Sequence, residues 1–116
     1  MKRLALLGAS GHGKVVADMA ALVGWEAVEF FDDAWPRRMR NGPWVVVGDG
    51  AALLARLNQF GGVVVSIGDC MVRWKKQLVL QEAGAQFATV VHPAASVSRH
   101  AVLGPGTVVM AGAVVN

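Results

Sequence analysis

From Val91 onward the sequence repeats every six residues. Val91, Val97, Leu103, Val109 and Val115 are branched aliphatics at that interval, and each of the first four is followed at a constant distance by a small residue: Ala95, Ala101, Thr107 and Ala113. A short fixed period constrains a chain strongly, because each unit can bury its apolar side chain only against the next unit, which makes a solenoid. One inward aliphatic per six residues suits a three-sided β-helix with small residues at its corners. Gly104-Pro105-Gly106 and Ala111-Gly112-Ala113 supply corners of that kind. The pattern stops at Asn116 in mid-repeat, leaving Val109 and Val115 toward an open end. The expectation is the start of a longer β-helix, in a fragment or truncated product. Such an end favours a weak trimer or pairing between chains over a clean monomer.

The residues before the repeats carry a different pattern. Arg3 to Leu7 reads as a short apolar strand, Gly8 to Gly13 as a glycine-rich turn, and Lys14 to Val23 as a helix with Val15, Val16, Met19, Ala20 and Val23 inward. Strands are predicted at Glu26 to Phe31, Trp44 to Val47, Val63 to Ile67 and Ala85 to Val91, with helices at Ala51 to Phe60 and Cys70 to Ala83. Asp32 to Pro43 reads as a loop. Strands alternating with helices predict βαβ units around a parallel sheet. The fold class expected is therefore α/β: a Rossmann-like parallel-sheet domain over residues 1–91, joined without a linker to the first coils of a parallel β-helix over residues 92–116.

Composition agrees with a buried sheet and excludes other classes. Hydrophobic residues make up 54% of the 116, charged residues only 16%, and there are 14 glycines. No stretch approaches the ~18 apolar residues of a membrane span, so no membrane span is expected. The brief apolar start is broken by Gly8, too early for a signal peptide. With a single cysteine, a reducing cytoplasm is the expected compartment. The net charge is +3, with basic residues gathered at Arg37, Arg38, Arg40 and at Arg73, Lys75, Lys76. No nucleic-acid motif accompanies them, so nucleic acid is not an expected partner. They read either as a solvated face or as a positive field for a phosphorylated small molecule.

Gly8-Ala9-Ser10-Gly11-His12-Gly13-Lys14 is the sharpest local motif. It joins a strand to a helix, so free backbone N–H groups and the positive end of the helix dipole face outward, where a phosphate or diphosphate fits. The spacing is G-x-x-G-x-G and differs from the dinucleotide G-x-G-x-x-G. The chain contains no Tyr, the usual catalytic residue of short-chain dehydrogenases, which counts against hydride transfer. Asp32 and Asp33 close the second strand, where a carboxylate reaches a ribose hydroxyl or a base edge, or simply forms a turn. Gly68 and Asp69 close the fourth predicted strand, with Arg73 a helical turn on. Asp69 fits either a helix cap or a ligand contact. His12 fits a phosphate or sugar contact, or a turn cap. Cys70 reads as an inert thiol, His92 as structural and His100 as solvated. No residues cluster with the spacing of a metal site.

Taken in order, Gly8-Ala9-Ser10-Gly11-His12-Gly13, Asp32-Asp33, Ser66-Ile67-Gly68-Asp69 with Arg73, then His92-Pro93 and the hexads, the chain resembles one bacterial family along its whole length. These are the sugar O-acyltransferases and nucleotide-sugar N-acetyltransferases of sialic acid, bacillosamine and related glycans. The resemblance implies a Rossmann-like domain that binds a nucleotide-linked sugar, often a UDP-4-amino-sugar. It also implies a left-handed β-helix that forms a homotrimer and binds acetyl-CoA as co-substrate. A β-helix histidine then acts as general base while the sugar amine or hydroxyl attacks the thioester. By motif match, Ser10, Gly11 and His12 contact the nucleotide or phosphate part, and Asp32, Asp33 and Gly68 line the nucleoside. Asp69 and Arg73 join them as candidate substrate-binding residues. The family's histidine and its acetyl-CoA surface fall beyond Asn116. The implied role is nucleotide-sugar binding by a chain that does not itself transfer acetyl groups. A stand-alone dinucleotide-binding module and an assembly module with an unused pocket are the competing readings.

Overall fold

A computed structural model describes residues 2–116. Strand β1 (Arg3–Leu7) is an interior strand of a five-stranded sheet, flanked by β2 (Ala27–Phe31) and by the edge strand β5 (Gly62–Val65). Outside β2 come β4 (Trp44–Gly48) and then β3 (Arg40–Asn41), giving the order β3-β4-β2-β1-β5. All pairs are parallel except the β3–β4 hairpin. Helix α1 (Gly11–Leu22) connects β1 to β2, α2 (Gly50–Ala55) leads from β4 toward β5, and α3 (Cys70–Glu82) follows β5. The chain is thus an α/β protein with a mostly parallel sheet, wound outward in both directions from β1.

The apolar strand sequences follow from burial on both faces. Successive side chains alternate across the sheet. Leu4, Leu6, Phe30 and Val64 enter one core with Val16, Met19 and Ala20 of α1. Ala5, Leu7, Phe31, Val63 and Val65 enter the other, with Leu53 of α2 and Leu80 of α3. The α1 core also takes in Ala88 and Val90, so the start of the hexads is packed beside α1 against the same sheet face.

Beyond α3 lie four two-residue strands: β6 (Val90–Val91), β7 (Ser96–Val97), β8 (Val108–Val109) and β9 (Val114–Val115). Val90 pairs with Val108 and Val91 with Val109, while Ser96 pairs with Val114 and Val97 with Val115, all in parallel. Each partner is three hexads further along the chain.

Several elements differ from the sequence reading. The strand expected over 85–91 is reduced to a single bridge, Val63 with Phe87, and the two residues of β6. The segment leaves the edge of β5 to reach the hexads, so its hydrogen bonds are divided: Ala88 N–H donates to the Val63 carbonyl and Val90 N–H to the Thr107 carbonyl. Helix α1 begins at Gly11, three residues earlier than read, because Ser10 caps it. Val15 faces solvent at 46% exposure, and Ala17 takes its place in the core. The helix expected over 51–60 ends as α2 at Ala55 and continues as a 3₁₀ turn at Leu57–Gln59. Part of the expected loop, Arg40–Asn41, forms β3.

Candidate functional site

The carboxyl end of β1 is where the sheet reverses its winding, and ligands of doubly wound sheets bind in the crevice at such points. The turn leaving β1 is held from four directions. Gly8 adopts a φ of +122°, and a Cβ there would stand 2.8 Å from the Ser66 carbonyl carbon. Ser66 is fully buried at the end of β5, and its hydroxyl donates to the Gly8 carbonyl at 2.7 Å. Asp32 accepts from the Ala9 N–H through one carboxylate oxygen and from the Ala34 N–H through the other, both at 2.8 Å. From the β3 side, Arg38 donates to the Ala9 carbonyl at 2.9 Å and Asn41 to the Ser10 carbonyl at 3.0 Å. These contacts stabilise a rigid turn before any ligand arrives.

Ser10 is the N-cap of α1. Its hydroxyl oxygen accepts from the Gly13 N–H at 3.0 Å and its hydroxyl proton goes to the Ser66 carbonyl at 2.8 Å. The motif match places Ser10 against the nucleotide or phosphate part, but in the structure its hydroxyl proton is committed to Ser66, which leaves its backbone N–H for such a contact. Among the described residues, the backbone N–H groups of Ser10, Gly11 and His12 have no hydrogen-bond partner. They lie at the positive end of α1, the arrangement that attracts anions. A Cβ built on Gly11 meets no atom within 4 Å, whereas one built on Gly13 would meet the Gly8 carbonyl oxygen at 2.6 Å. Gly11 therefore keeps space open above the helix, and Gly13 is required for helix and turn to touch. His12 is half-buried in the first turn of α1.

A crevice of about 240 Å³ adjoins this turn, lined by Leu7, Gly8, Asp32, Asp33, Ile67 and Val72. Asp33 differs from Asp32 in its partners: it accepts from the Gly50 N–H at 2.9 Å and pairs with Lys76 of α3. The Lys76 hydrogen bond, then the Gly50 N–H, hold its carboxyl below the ordinary value of 3.8. Asp69 caps α3, accepting from the Val72 N–H at 3.0 Å. Gly68 is exposed, with open space around its Cα, between crevice residues Ile67 and Val72. Arg73 is not brought to the crevice. It lines a separate cavity of about 260 Å³ with Trp74, Gln77 and Gly106. His92 caps its own turn through Nδ1, accepting from the Ala94 N–H at 2.9 Å, and His100 is exposed. Among the described residues, no three His, Cys, Asp or Glu side chains stand together as a metal site would require, and no helix is long and apolar enough to cross a membrane.

Residues 3–79, including the turn, Asp32, Asp33 and most of α3, match the PglD N-terminal domain model. The chain belongs to that family. It is 32% identical over 113 residues to the UDP-N-acetylbacillosamine N-acetyltransferase of Bacillus subtilis (strain 168), covering 96% of this chain and 52% of that protein. The acetyltransferase domain of PglB from Neisseria gonorrhoeae FA1090, solved with acetyl coenzyme A, superimposes with a TM-score of 0.87 at 33% identity, over 97% of this chain and 55% of that one. A variant of perosamine N-acetyltransferase from Caulobacter crescentus, solved with CoA and GDP-perosamine, gives a TM-score of 0.87 at 30% identity, over 100% of this chain and 55% of the other. The chain thus spans about half the length of the relatives it matches.

The sequence reading identified the glycine turn and both aspartates, but left three supports of the site without a role. Ser66 was visible as a lone polar residue ending an apolar strand. Arg38 and Asn41 had no local signal, because they reach the turn from residues 29 and 31 positions away.

Proposed function

We propose that this chain binds the nucleotide-linked sugar that acts as acceptor in an acetyl-CoA-dependent sugar N- or O-acetyltransferase of bacterial glycan synthesis, a UDP-sugar being favoured. The observation that carries the reading is the braced turn at the winding reversal, with three unpartnered N–H groups under an open Gly11. A diphosphate seated there makes hydrogen bonds that water alone satisfies otherwise, and the α1 dipole adds favourable charge. The sugar-nucleotide and CoA complexes of similar proteins agree with this assignment.

In the proposal, residues 1–91 are the nucleotide-sugar domain and residues 92–116 open a left-handed β-helix of the trimer-forming kind. The three-hexad offset between paired strands supports the second part. Ser10, Gly11 and His12 meet the diphosphate, and Asp32, Asp33, Gly68 and Asp69 edge the nucleoside. Asp32 acts through the turn that it clamps. Arg73 faces a neighbouring cavity and is the weakest member of the proposed set. Acetyl-CoA binding and proton removal are assigned to the part of the relatives that this chain does not span, and His92, whose Nδ1 caps its own turn, is given no role in them. The chain alone is expected to bind acceptor without releasing CoA.

Titration calorimetry with UDP, UDP-amino-sugars, GDP-sugars and NAD tests the reading. Binding of a uridine or guanosine nucleotide, abolished by Gly11→Val in a variant that melts normally, is the expected result. Selective binding of NAD, or unchanged binding by Gly11→Val, overturns it.

A further inference from the structure

The segment between β2 and β4 carries side chains that the proposed function does not use. Arg37, Arg38 and Arg40 do not line the crevice beside the glycine turn. With Ala34 and Met39 they form an open concavity of about 490 Å³ near the β3 edge of the sheet. From Ala34 to Gly48 the chain holds these three arginines and no acidic residue. The flanking carboxylates are engaged elsewhere: Asp32 by the Ala9 and Ala34 N–H groups, Asp33 by the Gly50 N–H and Lys76, Asp49 by the Ala52 N–H. Among the described residues, no ion pair includes any of the three arginines. Lys14 of α1 extends the basic surface, since a Cβ on Gly42 would stand 3.5 Å from its Cε. Large apolar side chains are exposed among these charges: Trp35 at 37%, Met39 at 59% and Val45 at 49%. Val45 stands directly opposite Arg40 across the β3–β4 pair.

We propose that this hairpin docks on the surface of a bilayer rich in anionic lipid, with the arginines meeting headgroup phosphates while Trp35, Met39 and Val45 enter the boundary beneath them. The mixture of side chains decides the occupant. Basic residues are drawn to an anionic leaflet, and Trp favours the interfacial depth, where part of its ring is dry and part is wet. A nucleic acid or a small anion would satisfy the arginines yet leave the three apolar side chains in water. A bilayer covers both kinds. The surface is also firm, because Arg38 donates to the Ala9 carbonyl and Asn41 to the Ser10 carbonyl, rooting the hairpin on the turn that leaves β1. A pre-formed surface loses little conformational freedom on binding. The same two hydrogen bonds keep the glycine turn close to whatever the hairpin touches, so a docked chain presents its anion cradle beside the bilayer. Adhesion of this kind is peripheral and needs no spanning helix. It does not depend on which ligand the turn accepts.

Co-sedimentation of the full chain with lipid vesicles provides the test. The chain should partition onto vesicles of equal parts phosphatidylglycerol and phosphatidylcholine, and not measurably onto phosphatidylcholine alone. Arg37→Gln and Arg40→Gln should each weaken that partition by about fivefold, and added salt should weaken it further in the parent. Met39→Asp should lower it by about tenfold, since it removes apolar area from the boundary and adds a repelled charge. All three positions are exposed, so the variants should melt with the parent; Arg38 is left in place because it braces the turn. No partition onto the anionic vesicles overturns the proposal, as does parent-level partition by Met39→Asp or by the double variant Arg37→Gln, Arg40→Gln. Retention on a duplex oligonucleotide but not on vesicles overturns it in favour of nucleic acid.

Discussion

Two glycines two residues apart in α1 should respond in opposite ways to the same added methyl group. At Gly13 the methyl would stand 2.6 Å from the Gly8 carbonyl oxygen, 2.8 Å from Cε1 of Phe30 and 3.2 Å from the Ser66 hydroxyl. None of these can swing aside. The carbonyl is main chain and is tied to Ser66, and Phe30 is fully buried. Overpacking of this kind costs ~1–3 kcal/mol, and the rigid partners place Gly13→Ala at the upper end. Replacing a helical glycine with alanine gains back at most ~1 kcal/mol. The net expectation is a loss of about 2 kcal/mol, or roughly 8 °C in melting temperature for a domain of this size. At Gly11 the methyl meets nothing, so only the propensity gain remains and Gly11→Ala should be as stable as the parent or up to ~1 kcal/mol more so. Its nucleotide affinity should nevertheless fall, because the methyl occupies the open space over the free N–H groups. Urea titration followed by fluorescence of the four tryptophans measures the stabilities. A Gly13→Ala variant that unfolds at or above the parent midpoint would refute the close approach of α1 to the turn, and with it the geometry of the anion cradle.

Asp32→Ala should cost about 2 kcal/mol in the same urea titration, since it strips the acceptor from the Ala9 and Ala34 N–H groups, and an unmet donor costs ~1–3 kcal/mol; a loss under ~0.5 kcal/mol would mean that water replaces the clamp. Asp33 makes a smaller, pH-dependent contribution. Its folded carboxyl titrates below the ordinary 3.8, so its stabilisation is present above that pH and is lost as pH falls through it toward the folded value. The pair with Lys76 is partly exposed, so the effect is at most ~1 kcal/mol and weakens with salt. Asp33→Asn should flatten the acid limb of the stability curve by that amount, and an unchanged limb would show that the ion pair contributes nothing.

Much of the layout was legible along the chain because its signals are local. An apolar Leu4–Leu7 run, a cluster of glycines, a helical period and a stop at Gly24 or Gly84 each depend on neighbours within a turn or two. The hexads are the extreme case, since a repeat needs only itself to be read. The misreadings fall where a long-range partner decided. Val15 has the right spacing for an inward face, yet it is exposed and Ala17 is buried instead, because the direction in which α1 presents a face is set by how it docks on the sheet. The Ala85–Val91 strand is cut short because its two halves bond to different partners, Val63 and Thr107.

The sequence by itself determined that a parallel α/β sheet runs into a six-residue repeat, and that a glycine turn opens the first helix. Burial periodicity and turn chemistry are properties of adjacent residues, so folding need not be known to see them. Only the tertiary structure decided which polar groups remain free for a ligand. The Ser10 proton is taken by Ser66 across 56 positions, Asp32 is spent on the turn, and Asp33 meets Lys76 across 43. A hydrogen-bonding side chain carries no mark of its partner. Availability is set by distance in space, which exists only once the sheet has brought its strand ends together.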